Sequence, residues 1–362
     1  MKMKKKTAAL LMTVVMTAAV LVGCGDSGTA QSGDTTQSGE TAQSESTGQN
    51  EGAVYKVGIV QFVDDASLNQ IESAIEKELD AKAVELGVTF NYRDYTYNGQ
   101  ADSTVLNQIA TELVASEVDV IVPIATPAAM IMQNATEENQ IPVVFSAVSD
   151  PEGSGLVASI DAPGSNITGT SDALDTEAIL DLMFAANPDI RKIGLLYSKS
   201  EDSSRLPVET AKAYCEAKGV AVEEKTGTTN DEVSLAADAL IAGGVDAVFT
   251  PTDNTVMTAE LAIYEKFIEA GVPHYGGADS FALNGAFLGY GVNYEELGTA
   301  TADMVADILV NGADPASTAV VMLDNGIATV NTETAEAIGL NYSMFVDMCA
   351  ELKEITTAEE FE

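Results

Sequence analysis

The chain has 362 residues, 46% of them hydrophobic, with 17 basic and 56 acidic side chains giving a formal net charge of −39. Such an acidic surface excludes nucleic-acid binding, because phosphate contacts need a basic face; it reads instead as a solvated, self-repelling exterior that aids solubility. The length is large for one hydrophobic core and comfortable for two.

The N-terminus sets Lys2, Lys4, Lys5 and Lys6 ahead of an apolar run from Ala8 to Val22. This is the pattern of an export signal over residues 1–23, and the run is shorter than the roughly 18 to 20 apolar residues of a spanning helix. Leu21-Val22-Gly23-Cys24 resembles the lipobox of bacterial lipoproteins. That resemblance implies a palmitate-type acyl anchor on Cys24 and a folded body held outside the cytoplasm at the cell membrane; each buried methylene contributes about 0.8 kcal/mol. Losing the four signal lysines takes the charge from −39 to −43.

Residues 24–53 contain no aromatic and no branched aliphatic side chain, so they cannot bury enough apolar surface to offset ordering and are expected to form a flexible tether. Beyond it, β-rich runs alternate with helical patterns, as in βα units around parallel sheets. The predicted strands of the first half are 55–62, 88–95, 118–125 and 141–147; Leu68, Ile71, Ile75, Leu79 and Ala83 mark the core face of an intervening helix. The second half repeats the scheme with strands at 191–198, 219–226, 245–252 and 272–278. Its helices are expected near 175–187, 204–218, 231–242 and 255–270. The sequence VDVIVPIATPAA followed by IPVVFSAVSDP is echoed by VDAVFTPTDNTV followed by VPHYGGADSF.

The expected fold is α/β: two Rossmann-like lobes with parallel sheets joined by crossing hinge strands. Residues 164–169 read as a hinge, with further crossings near GAFLGYGVNYEELG and NGADPAST. The N-terminal lobe is assigned 54–167 plus about 292–314, the C-terminal lobe 168–291 plus about 315–345, and 346–362 a tail. Cys215 and Cys349 fall in helical stretches and read as thiols, with their pairing left open.

Seven motifs in one order carry a family resemblance: VGIVQFVDDASLNQ, DVIVPIATPAAM, IPVVFSAVSDPEGSGLV, GSNITGTSD, KIGLLYSKSEDSS, DAVFTPTDNTV and GYGVNYEELG. From about Tyr55 to Leu340 the chain resembles ABC substrate-binding proteins of the tryptophan/tyrosine class, with the type I periplasmic-binding-protein fold. The family usually has His-Pro in the first loop, where this chain has Asp65-Ala66. The resemblance implies capture of an amino acid, a membrane permease as partner, no cofactor and a monomeric chain.

Ligands of open parallel sheets bind beyond the carboxyl ends of the strands, which points to the residues finishing each strand. In the first lobe these are Gln61 and Asp65, then Thr126 and Ala128 at a helix start suited to a carboxylate, then Ser146, Ser149 and Asp150. In the second lobe they are Tyr197, Ser198 and Ser203, then Thr252 and Asp253, then Asp279, the two acids being placed to take an α-ammonium. Phe62, Tyr95, Tyr197 and Tyr290 are strand-end aromatics able to sandwich a ring. The alternative ligand is a nucleoside or another small solute, and the alternative role a sensory lipoprotein.

The sequence has no HExxH, GxSxG, P-loop or Cys/His metal spacing, and its single histidine, His274, sits inside a strand. An enzyme is therefore not expected.

Overall fold

A computed structural model of the protein describes residues 52–361. The export signal, Cys24 and most of the tether lie outside the described residues.

The first lobe begins β1 (Val54–Gln61), α1 (Ala66–Leu86), β2 (Thr89–Asn91), β3 (Thr96–Asn98), α2 (Ser103–Ala115), β4 (Val120–Ile124), α3 (Thr126–Thr136), β5 (Val143–Phe145) and β6 (Ile167–Ser171). Its strands pair in the order β12-β6-β5-β4-β1-β2, with β3 also on β1 and β12 being Val321–Met322; every pairing is parallel. Every residue of β4, β5 and β6 is buried, as central strands covered on both faces require.

The second lobe runs α4 (Thr176–Ala186), β7 (Lys192–Tyr197), α5 (Arg205–Lys218), β8 (Ala221–Thr226), α6 (Asn230–Gly243), β9 (Ala247–Thr250), α7 (Asn254–Met257), α8 (Glu260–Ala270), β10 (His274–Gly276), α9 (Asp279–Leu283) and β11 (Leu288–Gly291). After α10 (Tyr294–Asn311) and β12, the chain adds β13 (Ile327–Asn331), α11 (Thr332–Ile338) and β14 (Glu351–Ile355). This sheet has the order β14-β13-β11-β10-β9-β7-β8, and its single antiparallel pairing is β11 with β13.

Helix α1 starts at Asp65, whose carboxylate accepts from the Ser67 N–H at 2.9 Å and the Leu68 N–H at 3.4 Å, and ends at Gly87 in the left-handed conformation. Its Ile71, Ile75 and Leu79 are fully buried. Although α10 follows a second-lobe strand, it packs along α1. At the contact, a Cβ on Gly298 would lie 2.5 Å from Ile71 O, so only glycine permits this approach.

Several expectations need correction. Of the expected strand 88–95 only Thr89–Asn91 is strand, with β3 following after Tyr92–Tyr95, and helix 255–270 is broken at Thr258–Ala259 into α7 and α8. The first sheet continues through β6 to Ser171, past the expected boundary at 167, because Val143–Phe145 pair with Ile167–Gly169. β12 also joins the first sheet, and β14, inside the expected tail, pairs with β13 in the second. The crossings therefore lie after Ser171, after Gly291 and after Met322. They are laced together by Leu323 N donating to Ser171 O, Gly326 N to Gly291 O, and Asn325 Nδ2 to Ala173 O. Cys215 is buried and Cys349 partly exposed; both are free thiols.

Candidate functional site

A narrow cavity lies between the lobes, closed down to about 10 Å³, the room of a single water. Ala125, Ala147, Asp172, Thr252 and Ala278, which line it, follow β4, β5, β6, β9 and β10, so the strand-end rule holds on both sides.

The first-lobe wall turns on a strained junction. β4 is followed by Ala125, whose φ of 79° and ψ of 152° lie in a region that glycine normally occupies. Its N–H donates to Ser146 O at 2.9 Å, tying the turn to the end of β5. Ala125 holds the cap position of α3, Thr126 is its first helical residue, and no side chain caps the helix. The N–H groups of Thr126 and Ala128 donate to no backbone acceptor outside the helix among the described residues. Thr126 Oγ1 is buried, lacks a hydrogen-bond partner and belongs to a residue lining the cavity. A helix start with unspent donors is suited to an anion.

Ser149 and Asp172 complete this wall. Ser149 Oγ donates to Asp172 Oδ1 at 2.9 Å, the one side-chain donor Asp172 receives among the described residues. Burial pushes the Asp172 carboxyl up to about 6. A ligand cation beside it would supply the charge partner that burial removes.

Across the cavity stand Ser203, Thr252, Asn254 and Met257, while Leu68 of α1 and Tyr294 of α10 add apolar surface. Ser203 Oγ donates to Thr252 O at 2.8 Å, Thr252 Oγ1 to Gly277 O at 3.1 Å, and Asn254 Nδ2 to Glu201 Oε2 at 3.0 Å.

Of the residues expected from sequence, Thr126, Ser149, Ser203 and Thr252 line this cavity. Asp253 does not: its carboxylate accepts from Ser198 N and Ser204 Oγ, each at 2.6 Å, and caps α7 through Val256 N at 3.0 Å. Burial pushes it up to about 6 even so. Ser198 and Tyr197 lie in a separate surface pocket, where the Tyr197 hydroxyl donates to Glu224. Gln61 spends its amide on Val63 O and Asn69 Oδ1, Ser146 sits in a buried hydroxyl cluster with Thr170 and Thr301, and Ala128 is fully buried behind the wall. The aromatic sandwich does not form: Phe62 and Tyr290 are core residues, and Tyr95 packs against the first-lobe core.

Asp65, Asp150 and Asp279 instead belong to the seam where the lobes touch. Asp279 accepts from Ser67 Oγ at 2.5 Å and Gln70 Nε2 at 3.0 Å, both on α1. Asp65 is buried beside Ser280 and Asp279; burial first, then the Asp279 charge, raises its carboxyl to about 7. Asp150 lies 3.8 Å from Arg205, whose guanidinium also donates to Gly153 O at 2.8 Å. Near the chain end, Asn284 Nδ2 donates to Ala358 O while Asn69 Nδ2 donates to Glu360, so the last described residues bridge the seam as well.

His274 packs between Phe267, tilted at 45°, and Phe281, edge-on at 75°, in the second-lobe core, its ring nitrogens bonded to Thr250 Oγ1 at 2.8 Å and Glu260 Oε1 at 3.0 Å. All three are essentially fully buried, so this hydroxyl–imidazole–carboxylate chain braces the core.

Sequence reasoning missed Asp172, Asn254, Met257 and Tyr294. Asp172 was reachable by the strand-end rule, but only once Ile167–Ser171 is recognised as a strand of the first sheet rather than as a hinge.

The family described as ABC transporter substrate binding protein matches residues 56–351. A tyrosine-binding protein of Clostridioides difficile (strain R20291) is 29% identical over 336 residues, 93% of each chain. Among solved structures, an ABC domain from Streptococcus pneumonia in complex with L-Trp is 30% identical, covers 83% of this chain and 100% of its own, and superposes with a TM-score of 0.76. The ligand-free, open structure of a substrate-binding protein with adhesive properties from Clostridium difficile is 29% identical over 84% of this chain and 100% of its own, with a TM-score of 0.63. At nearly equal identity, the chain superposes better on the ligand-bound relative than on the open one. With two parallel-dominated sheets, three crossings and a cavity at the strand ends, the chain belongs to the ABC transporter substrate-binding proteins and has their type I periplasmic-binding-protein fold.

Proposed function

We propose that this protein captures an amino acid of the tyrosine/tryptophan kind between its lobes and presents it to the membrane permease of an ABC importer. The observation that carries this reading is the pairing, on one wall, of an unspent helix start at Thr126 with a buried, nearly unpartnered carboxylate at Asp172. A zwitterion matches both: its carboxylate meets the α3 donors and its ammonium meets Asp172. Leu68, Met257 and Tyr294 offer the apolar surface a ring needs. The relatives named for tyrosine and holding tryptophan support the same class.

Closure of the lobes around the ligand makes occupancy readable by a permease that contacts both, because coupling is a difference in affinity for two states. The body works outside the cytoplasm, as a monomer held by acyl chains on Cys24. In that arrangement Cys24→Ala releases the protein from the membrane fraction.

The test of ligand class is native mass spectrometry of the purified body followed by a thermal-shift panel of amino acids, nucleosides and sugars. Tyrosine or tryptophan raises the melting temperature; a shift confined to nucleosides or sugars overturns the reading.

A further inference from the structure

The second-lobe wall has a polarity that its donor bonds determine. Each of its three polar side chains spends a donor on a protein acceptor: Ser203 Oγ on Thr252 O, Thr252 Oγ1 on Gly277 O, and Asn254 Nδ2 on Glu201 Oε2. A hydroxyl has one hydrogen, so Ser203 and Thr252 are left with lone pairs only. Asn254 lines the cavity; one of its two Nδ2 hydrogens is held by Glu201, and no protein donor reaches its Oδ1 among the described residues.

Glu201 holds that amide nitrogen from a buried position. It is 5% exposed, and its other oxygen accepts from Thr255 Oγ1 at 3.3 Å. Burial, and then the charge of Asp253, push its carboxyl up to about 8. The bond to Asn254 survives protonation, because the carbonyl oxygen of a carboxylic acid still accepts. Among the described residues Glu201 pairs with no cation and it does not line the cavity, so its burial is a cost that its hydrogen bonds only partly offset.

We infer that Asn254 Oδ1, positioned by Glu201, is the specificity-determining acceptor that selects a ligand whose side chain carries an N–H or O–H donor. This rests on the amino-acid reading above: the first lobe takes the charged head, and the second lobe reads the ring. A ring without a donor leaves a desolvated acceptor unpaired, which weakens binding by at least about tenfold.

The experiment is isothermal titration of the purified body with two matched pairs. Tyrosine is compared with phenylalanine, and tryptophan with 3-benzothienylalanine, in which sulfur replaces the indole N–H. In the wild type, the donor-bearing member of at least one pair binds about tenfold or more tighter. In Asn254→Ala and Glu201→Leu that ratio falls to within about threefold, whereas Glu201→Gln, which keeps an oxygen for Nδ2, retains it. A general loss of packing lowers both members of a pair together and leaves the ratio unchanged. Equal affinities within both wild-type pairs, or an unchanged ratio in Asn254→Ala, overturn the inference while leaving amino-acid capture standing. Failure of all four compounds to bind the wild type overturns both.

Discussion

Ser67 in the first lobe donates its hydroxyl hydrogen to Asp279 in the second at 2.5 Å, and the same oxygen accepts the Ser280 N–H at 3.1 Å. One small side chain thus serves two bonds across the seam that exist only while the lobes are together. Ser67→Ala removes both, biasing the equilibrium toward the open form. Ligand affinity is expected to fall about three- to tenfold, the worth of one or two net hydrogen bonds, chiefly through faster release. Titration calorimetry with stopped-flow dissociation checks this; unchanged affinity and release would show that the seam contacts do not contribute to closure.

Asp172→Asn keeps the shape of the first-lobe wall and the Ser149 contact but removes the charge. If Asp172 meets an ammonium, tyrosine or tryptophan binding weakens by about ten- to a hundredfold, in line with a charged hydrogen bond in a buried site. A ligand analogue lacking the amino group should lose much less between wild type and variant, which separates a direct contact from a packing defect.

Several buried acids shape the pH dependence in one direction. Asp65 is raised to about 7, Asp172 and Asp253 to about 6 and Glu201 to about 8, each mainly by burial. A carboxyl with a raised folded-state pKa holds a proton that the unfolded chain has already released, so stability falls as pH rises from near 4 toward 8. The ligand-free body is expected to melt at a higher temperature at pH 5 than at pH 8. In Glu201→Gln the fall between pH 6 and 8 is smaller, because that group no longer titrates. A melting temperature that climbs over this range contradicts the assignment.

Ala125 occupies backbone space where a Cβ is strained. Ala125→Gly relieves about 1–3 kcal/mol of that strain against about 0.4–1 kcal/mol of added unfolded-state entropy, so it should leave stability unchanged or raise it. Ala125→Val, with a branched Cβ, should lower it by about 1–3 kcal/mol. Chemical denaturation of the two variants decides the point, and the opposite order would mean that the junction carries no strain.

The sequence by itself determined the two-lobed α/β plan, because alternating apolar periods and turn residues are local properties that the chain writes in order. It also led to Thr126, Ser149, Ser203 and Thr252, since the strand-end rule needs only the strands. It could not assign the acids. Asp253 and Asp279 end strands just as Asp172 does, yet Asp253 is consumed by Ser198 and Ser204, more than forty positions away, and Asp279 by Ser67 and Gln70, more than two hundred positions away. Which carboxylate stays available for a ligand depends on which donors reach it after folding. The same holds for Asn254, whose amide nitrogen is engaged because the tertiary structure brings Glu201, more than fifty positions away, against it.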